Sequence, residues 1–337
     1  MKAICIESPW HILIREKDSP QIKDDMVLIK VKSIGICGSD IAAYAGTNPL
    51  VTYPRLIGHE IAGEVVEVAD SEKDFTIGDR VVLEPYIYCG NCYPCSIERF
   101  NCCENLKVLG VHVDGGMCEY ISHPKRLLYK IDKNIPWHLL ALVEPLSIAV
   151  HAVERSRLES GEYALIIGCG PIGLLTALYV IYNGGKAIIV DPVEKRLDLA
   201  KSLGVYYTIN SSLDDVYNQI KKITNGIFPT VVIEASGNIS AIQASLEYVS
   251  FAGRIVLVGW PNSDLIFKTS LVTKKEIDIL GSRNSCKNFP ECIDIVVNNK
   301  IDIEGVLSKI ISFGEIPLVV EDIYSNPKNY MKVVTIL

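Results

Sequence analysis

The chain has 337 residues, enough for two domains with separate cores. Apolar residues make up 49% and charged residues 22%, the balance of an ordinary soluble globular protein. Asp and Glu number 40 against 33 Lys and Arg, a net charge of −7, which excludes the basic face that nucleic-acid binding needs.

The first 140 or so residues read as strand and loop. Lys2–Ile6 and Val27–Ser33 are β-rich runs. Met1-Lys2-Ala3-Ile4-Cys5-Ile6 lacks the long apolar core and cleavage site of a secretion signal. The eleven cysteines are odd in number and clustered, which favours metal in a reducing cytosol over a disulfide scaffold. A cytoplasmic protein is expected.

Gly35-Ile36-Cys37-Gly38-Ser39-Asp40 and Ile57-Gly58-His59-Glu60 follow. Cysteine, histidine and carboxylate can converge on one Zn²⁺, which accepts sulfur, imidazole nitrogen and carboxylate oxygen. A catalytic zinc keeps one position open for water or substrate. Taken alone, the same residues also fit a buried cysteine and a core histidine. Glu60–Val68 and Arg80–Leu83 are further strands, and the Gly and Pro turns between them suggest a small β-barrel-like domain.

Cys89, Cys92, Cys95 and Cys103 have the spacing C-x2-C-x2-C-x7-C. Four thiolates on one short lobe close a tetrahedron around zinc with no open position, the mark of a structural site. Iron–sulfur ligation has related spacing, and Cys102 competes for the fourth place on spacing alone. In Leu142-Val143-Glu144-Pro145-Leu146 an acid sits inside an apolar run at an apparent domain junction. Such an acid needs a partner; a metal or its water is one, a helix N-terminus another.

From Tyr163 to Tyr182 no residue is charged, long enough to suggest a membrane span. Gly168, Gly170, Pro171 and Gly173 interrupt it, so a buried strand, a turn and a buried helix are expected, with no membrane. Gly168-Cys169-Gly170-Pro171-Ile172-Gly173 lies between the strand Ala164–Ile167 and an apolar helix reaching Ile181. The strand Lys186–Val190 then ends at Asp191. This is the dinucleotide-binding pattern: glycines admit the pyrophosphate, and the acid takes the ribose hydroxyls. Asp191 repels a 2′-phosphate, so NAD is expected over NADP; Arg196, grouped with the cofactor residues, and Lys195 are the cations able to neutralise it. Strands at Thr230–Ile233, 253–259 and 277–281 continue the α/β alternation. Pro290 can start a helix, and Met331–Leu337 is β-like and expected to return to the first domain.

These motifs together resemble the zinc-dependent medium-chain alcohol dehydrogenases over nearly the full length. The resemblance rests on Gly35–Asp40, Gly58-His59-Glu60, the four-cysteine lobe, Glu144-Pro145 and Gly168–Gly173. It implies a fold of two parts: a GroES-like β-barrel catalytic domain (1–144 and 285–337, with the structural zinc lobe at 86–105) and a doubly wound Rossmann domain (145–284). It also implies an active site between them and two zinc ions per chain, one catalytic and one structural. Cys37, His59 and Glu60 match the catalytic zinc positions of the polyol and sugar-acid branch. Glu144 matches a carboxylate that orients the metal water or replaces Glu60. Asp40 is expected to orient the histidine ligand. Where many relatives carry a proton-relay histidine, this chain has Ala42, which leaves Ser39 to pass a proton.

Within the branch, Asn48-Pro49, Tyr53-Pro54-Arg55, Asn101-Cys102-Cys103-Glu104, Val111-His112 and Gly281-Ser282-Arg283-Asn284 resemble bacterial sugar-acid dehydrogenases of the L-galactonate type. The implied reaction is oxidation of a secondary hydroxyl of a hexonate or polyol to a ketone, with hydride passed to NAD. Arg283, Asn284 and Arg55 become candidate substrate contacts, because a guanidinium holds a carboxylate with two parallel hydrogen bonds. Sorbitol-type and threonine 3-dehydrogenases are the rival enzymes. A non-catalytic NAD-binding regulator is the rival of another class, and loss of zinc ligands would be its signature. The edge at Ile277–Gly281 and the resemblance suggest a homodimer or homotetramer.

Overall fold

The chain opens with an antiparallel hairpin of β1 (Lys2–Ser8) and β2 (His11–Glu16). The long strand β3 (Met26–Ile36) leads through Cys37 into the short helix α1 (Gly38–Tyr44). Then come β4 (Arg55–Leu56), β5 (Glu60–Glu67), β6 (Arg80–Leu83) and β7 (Tyr86–Ile87). The cysteine lobe holds α2 (Tyr93–Ser96), and β8 (Lys107–Val108) leaves it to pair antiparallel with β7. β9 (Tyr120–Pro124), β10 (Leu128–Lys130) and α3 (Trp137–Leu140) precede the helix α4 (Val143–Ser156). These assignments come from a computed structural model, which describes every residue except Asp24, Asp70, Ser71 and Asn262.

Strand and helix then alternate. The order is β11 (Tyr163–Ile167), α5 (Pro171–Tyr182), β12 (Lys186–Asp191), α6 (Glu194–Ser202), β13 (Tyr207–Asn210) and α7 (Val216–Ile223). β14 (Val231–Glu234), α8 (Ile239–Tyr248), β15 (Arg254–Leu257), α9 (Thr269–Lys275) and β16 (Asp278–Gly281) follow. The six strands form one parallel sheet in the order β13-β12-β11-β14-β15-β16. That order reverses beside β11, where a dinucleotide fold places its ligand crevice. The uncharged run 163–182 is thus β11, a turn and α5, buried along most of its length. Among the described residues no helix is long and apolar enough to cross a membrane.

The last segment is α10 (Phe289–Val297), β17 (Leu307–Ser312), α11 (Ile316–Ser325) and β18 (Lys332–Ile336). β18 lies antiparallel to β3 and parallel to β17, so the carboxyl-terminal strand is an inner strand of the sheet β10-β6-β5-β3-β18-β17. Ile4, Ile6, Ile29, Ile34, Ile57, Ile61, Leu83 and Met117 fill the core of this part.

Two compact units result. The first comprises Met1–Glu144, Phe289–Asn298 and Leu307–Leu337; the second comprises Pro145–Asn288 and Asn299–Val306. The sequence boundary at 284/285 is therefore corrected to 288/289, and residues 299–306 return to the second unit. Two contacts account for this. Asn288 donates a hydrogen bond to Glu154 of α4 at 2.7 Å. Gly305 lies so close to Leu203 that a side chain there would meet it at 2.3 Å.

Candidate active site

Cys37 stands where β3 gives way to α1, and His59 and Glu60 stand where β5 begins. β3 and β5 are hydrogen-bonded neighbours with Gly35 opposite Glu60, which brings the two segments together. Ligand atoms of Cys37, His59 and Glu60 all lie within 4.8 Å of one another. His59 and Glu60 are 6% and 1% exposed, so no bulk water can compensate their charge. The Nδ1 of His59 is buried without a hydrogen-bond partner. Sulfur, nitrogen and oxygen donors in this buried, convergent arrangement fit Zn²⁺.

Asp40 holds the two segments in place. Its carboxylate accepts the backbone N–H of Cys37 at 2.9 Å and that of Gly58 at 3.1 Å. The nearest approach to His59 Nδ1 is 4.0 Å, too long for a hydrogen bond. Asp40 thus stands at ion-pair distance from His59 while its hydrogen bonds go to the backbone beside both ligands. Ser39 lies half-buried in the first turn of α1.

Two partners were not legible as site residues. Lys332, on β18 and 3% exposed, forms a buried ion pair with Glu60 and donates to the carbonyl of Ile36 at 3.0 Å. Burial works against charge on Lys332, but Glu60, then Cys37 and Glu144, outweigh it and raise its pKa. Tyr86, on β7, donates its hydroxyl to Glu144 in the first turn of α4. Burial pushes the Glu144 carboxyl up to about 7, with Glu60 adding to the effect. Burial also works against charge on His59, yet Cys37, Asp40 and Glu144 together hold it well above its ordinary value. A lysine in an otherwise apolar terminal strand was the one available signal for Lys332. Nothing in the sequence marked Tyr86.

The four-cysteine cluster is local. Sulfur separations are 3.5 Å for Cys92–Cys95 and Cys103–Cys89, and 3.8 Å for Cys92–Cys103. A tetrahedron with metal–sulfur bonds near 2.3 Å has edges of about 3.8 Å, while a disulfide needs only about 2 Å. Cys102 lies outside the cluster and faces Arg99 at 3.8 Å.

In the second unit, Gly173 packs against the turn so tightly that a side chain would meet the Gly168 carbonyl oxygen at 1.8 Å. Asp191, at the end of β12, accepts the N–H of Cys169 and that of Val193, each at 2.8 Å. Each carboxylate oxygen keeps a second lone pair, so two ribose hydroxyls can still be accepted. Arg196 Nη1 stands 4.0 Å from Asp191. Arg283 is exposed beyond the end of β16, and Asn284 beside it has a left-handed backbone, φ 52°. Arg55 is engaged elsewhere: it donates to Thr52 at 2.7 Å and pairs with Asp114 at 3.5 Å.

The fold agrees with the comparisons. The alcohol dehydrogenase GroES-like domain matches residues 23–133, and the zinc-binding dehydrogenase family matches residues 171–298. The chain belongs to the zinc-type medium-chain alcohol dehydrogenases, with a GroES-like and a Rossmann-type part. It is an oxidoreductase whose cofactors are zinc and NAD. It is 50% identical, over 99% of its length and 98% of the other's, to an uncharacterized zinc-type alcohol dehydrogenase-like protein of Haemophilus influenzae. It is 32% identical, over 99% of each chain, to the L-galactonate-5-dehydrogenase of Escherichia coli K12. The crystal structure of the Escherichia coli CFT073 short chain alcohol dehydrogenase rspB, complexed with cofactor NADH, superposes with a TM-score of 0.94. That pair shares 33% identity and covers 100% of this chain and 99% of the other.

Purified protein is expected to carry two zinc ions per chain by elemental analysis, one for each donor group. Cys37→Ala should lose one of them and all turnover while the fold stands. Cys95→Ala should lose the other and melt several degrees lower, about 2–4 °C for each kcal/mol lost. Iron, or a single zinc after supplementation, would contradict the assignment. A side chain at Gly35 would come within 1.7 Å of Glu60 Oε2. Gly35→Ala should therefore displace Glu60 and lower zinc content as Cys37→Ala does, with an unchanged circular dichroism spectrum.

Proposed function

We propose that the protein oxidises a secondary hydroxyl of a hexonate such as L-galactonate, or of a closely related polyol, to the ketone. Cys37, His59 and Glu60 hold the catalytic zinc; Cys89, Cys92, Cys95 and Cys103 hold the structural one. The observation that carries the reading is the buried Cys–His–Glu donor set, with a further buried acid, Glu144, tethered by Tyr86. When bound, zinc supplies Lewis acidity and NAD supplies the hydride acceptor.

The protein's own residues do the rest. Asp40 keeps Cys37 and His59 in register through backbone hydrogen bonds at Cys37 and Gly58. Lys332 offsets the charge of Glu60 in a site that water cannot reach. Glu144 and Ser39 are the groups that accept or pass the proton lost from the substrate hydroxyl. Gly168, Gly170, Pro171, Ile172 and Gly173 form the turn that takes the pyrophosphate, and Asp191 takes the ribose. The sugar-acid class draws support from the end-to-end similarity to the L-galactonate enzyme. Arg283, with Asn284 beside it, is the candidate anchor for a substrate carboxylate.

Asp191 supports a preference for NAD⁺, expected to exceed NADP⁺ by at least about tenfold in kcat/KM, since one unscreened repulsion is worth that much. Equal values would show that Arg196 neutralises the carboxylate. For the substrate, L-galactonate, L-gulonate, L-idonate, sorbitol, threonine and simple alcohols should be compared with NAD⁺. A hexonate is expected to be best; preference for threonine or ethanol would refute the sugar-acid reading. With a hexonate, Arg283→Lys should raise KM strongly and spare uncharged polyols. Equal effects on both would assign the arginine to structure.

A further inference from the structure

Tyr86 is a buried tyrosine whose hydroxyl takes no part in the chemistry above. It is 3% exposed, and β7, on which it lies, is only two residues long. A buried phenol needs a hydrogen-bond partner, and this one has Glu144 Oε1. Burial and the Glu144 charge both raise the Tyr86 pKa well above its ordinary value, so it remains a donor. Tyr86 pairs with Val108 and Ile87 with Lys107, so β7 and β8 form the closed stem of the four-cysteine lobe. Cys89 follows Tyr86 by three residues, and Cys103 precedes Lys107 by four. The lobe therefore fixes where the tyrosine hydroxyl stands. Glu144 in turn feels the charges of His59 and Glu60, yet it is not among the atoms that converge with Cys37.

We propose that Tyr86 is a positioning residue: its hydroxyl holds Glu144 beside the Cys37–His59–Glu60 donor set but outside it, leaving Glu60 as the ligating carboxylate. This rests on the metal reading given under Proposed function. A carboxylate released beside a divalent cation would bind it, because cation and anion attract strongly where water is excluded. The tether thus reserves Glu144 for the substrate hydroxyl. It also links the lobe to the reacting site through one hydrogen bond.

The test uses the full-length protein with cobalt in place of zinc, since cobalt absorption in the visible reports coordination number. Cys37→Ala, with cobalt in the lobe alone, supplies the blank. If the blank and the wild type have the same spectrum, the metal reading itself fails. If they differ, Tyr86→Phe, which keeps the ring volume, is compared with the wild type. Its site absorption is expected to fall about twofold as Glu144 joins the coordination. Its kcat should fall about tenfold with KM little changed, the pattern of a lost transition-state contact. Glu144→Gln and the double variant should both keep the wild-type spectrum, and Tyr86→Phe should cost nothing further in the Glu144→Gln background. An unchanged Tyr86→Phe spectrum would overturn the proposal whatever the activity. So would additive losses in the double variant. If Tyr86→Phe does not fold, Glu144→Gln still decides: a spectrum altered by that change alone would show Glu144 to be a ligand already.

Discussion

The structure of the first unit depends on one buried ion pair, Lys332 with Glu60. The two residues are 272 positions apart and are 3% and 1% exposed. Desolvating two charges is costly, and an ion pair so buried adds little net stability compared with a well-packed apolar pair. Its effect is positional. Removing one partner leaves the other uncompensated at a cost of about 3–5 kcal/mol, so the terminal strand cannot leave without disturbing Glu60. β18 is held between β3 and β17, and Lys332 also donates to the carbonyl of Ile36, one residue before Cys37. Three segments remote in sequence are thereby fixed around one donor set. The donor set is assembled by the pairing of β3 with β5, and β18 adds the charge that balances Glu60.

The cysteine lobe follows the opposite logic. Its four sulfurs come from fifteen consecutive residues, Cys89 to Cys103, closed by a two-rung stem. No distant strand is needed to assemble it, and metal binding there contributes directly to local folding. A local site is also the one that sequence can display. The spacing of the lobe marks Cys89, Cys92 and Cys95 and leaves the fourth place to Cys102 or Cys103; the structure gathers Cys103 with the other three and turns Cys102 toward Arg99.

Legibility elsewhere follows the range of the interaction. Strands at Lys2–Ile6, Arg80–Leu83, Ala164–Ile167 and Lys186–Val190 were readable because alternation, apolar runs and glycine turns are local signals. Cys37, His59 and Glu60 were readable through their motifs. Lys332 and Tyr86 were not, because each acts on a partner chosen by tertiary structure, 272 and 58 residues away. The motif shows Asp40 beside the histidine but not its hydrogen-bond partners, since a carboxylate beside a turn binds backbone N–H groups as readily as an imidazole. For Arg55 a motif does not reveal the neighbours Asp114 and Thr52, which tertiary structure brings to its guanidinium.

Five of the buried acids differ in what holds them. Asp40, Asp191 and Glu234 are 2%, 4% and 0% exposed, and each accepts two backbone N–H groups. A hydrogen bond to a charged acceptor contributes about 1.5–3 kcal/mol, and backbone donors cannot rotate away. These three acids are fixtures: they pin the Cys37–Gly58 junction, the cofactor turn, and the loop after β14. Glu60 and Glu144 are held instead by side chains, Lys332 and Tyr86. Each of these side-chain partners comes from a segment remote in sequence and sets the direction in which its carboxylate faces. Around the two candidate sites, then, backbone donors fix the frame, while side chains brought in by tertiary structure aim Glu60 and Glu144.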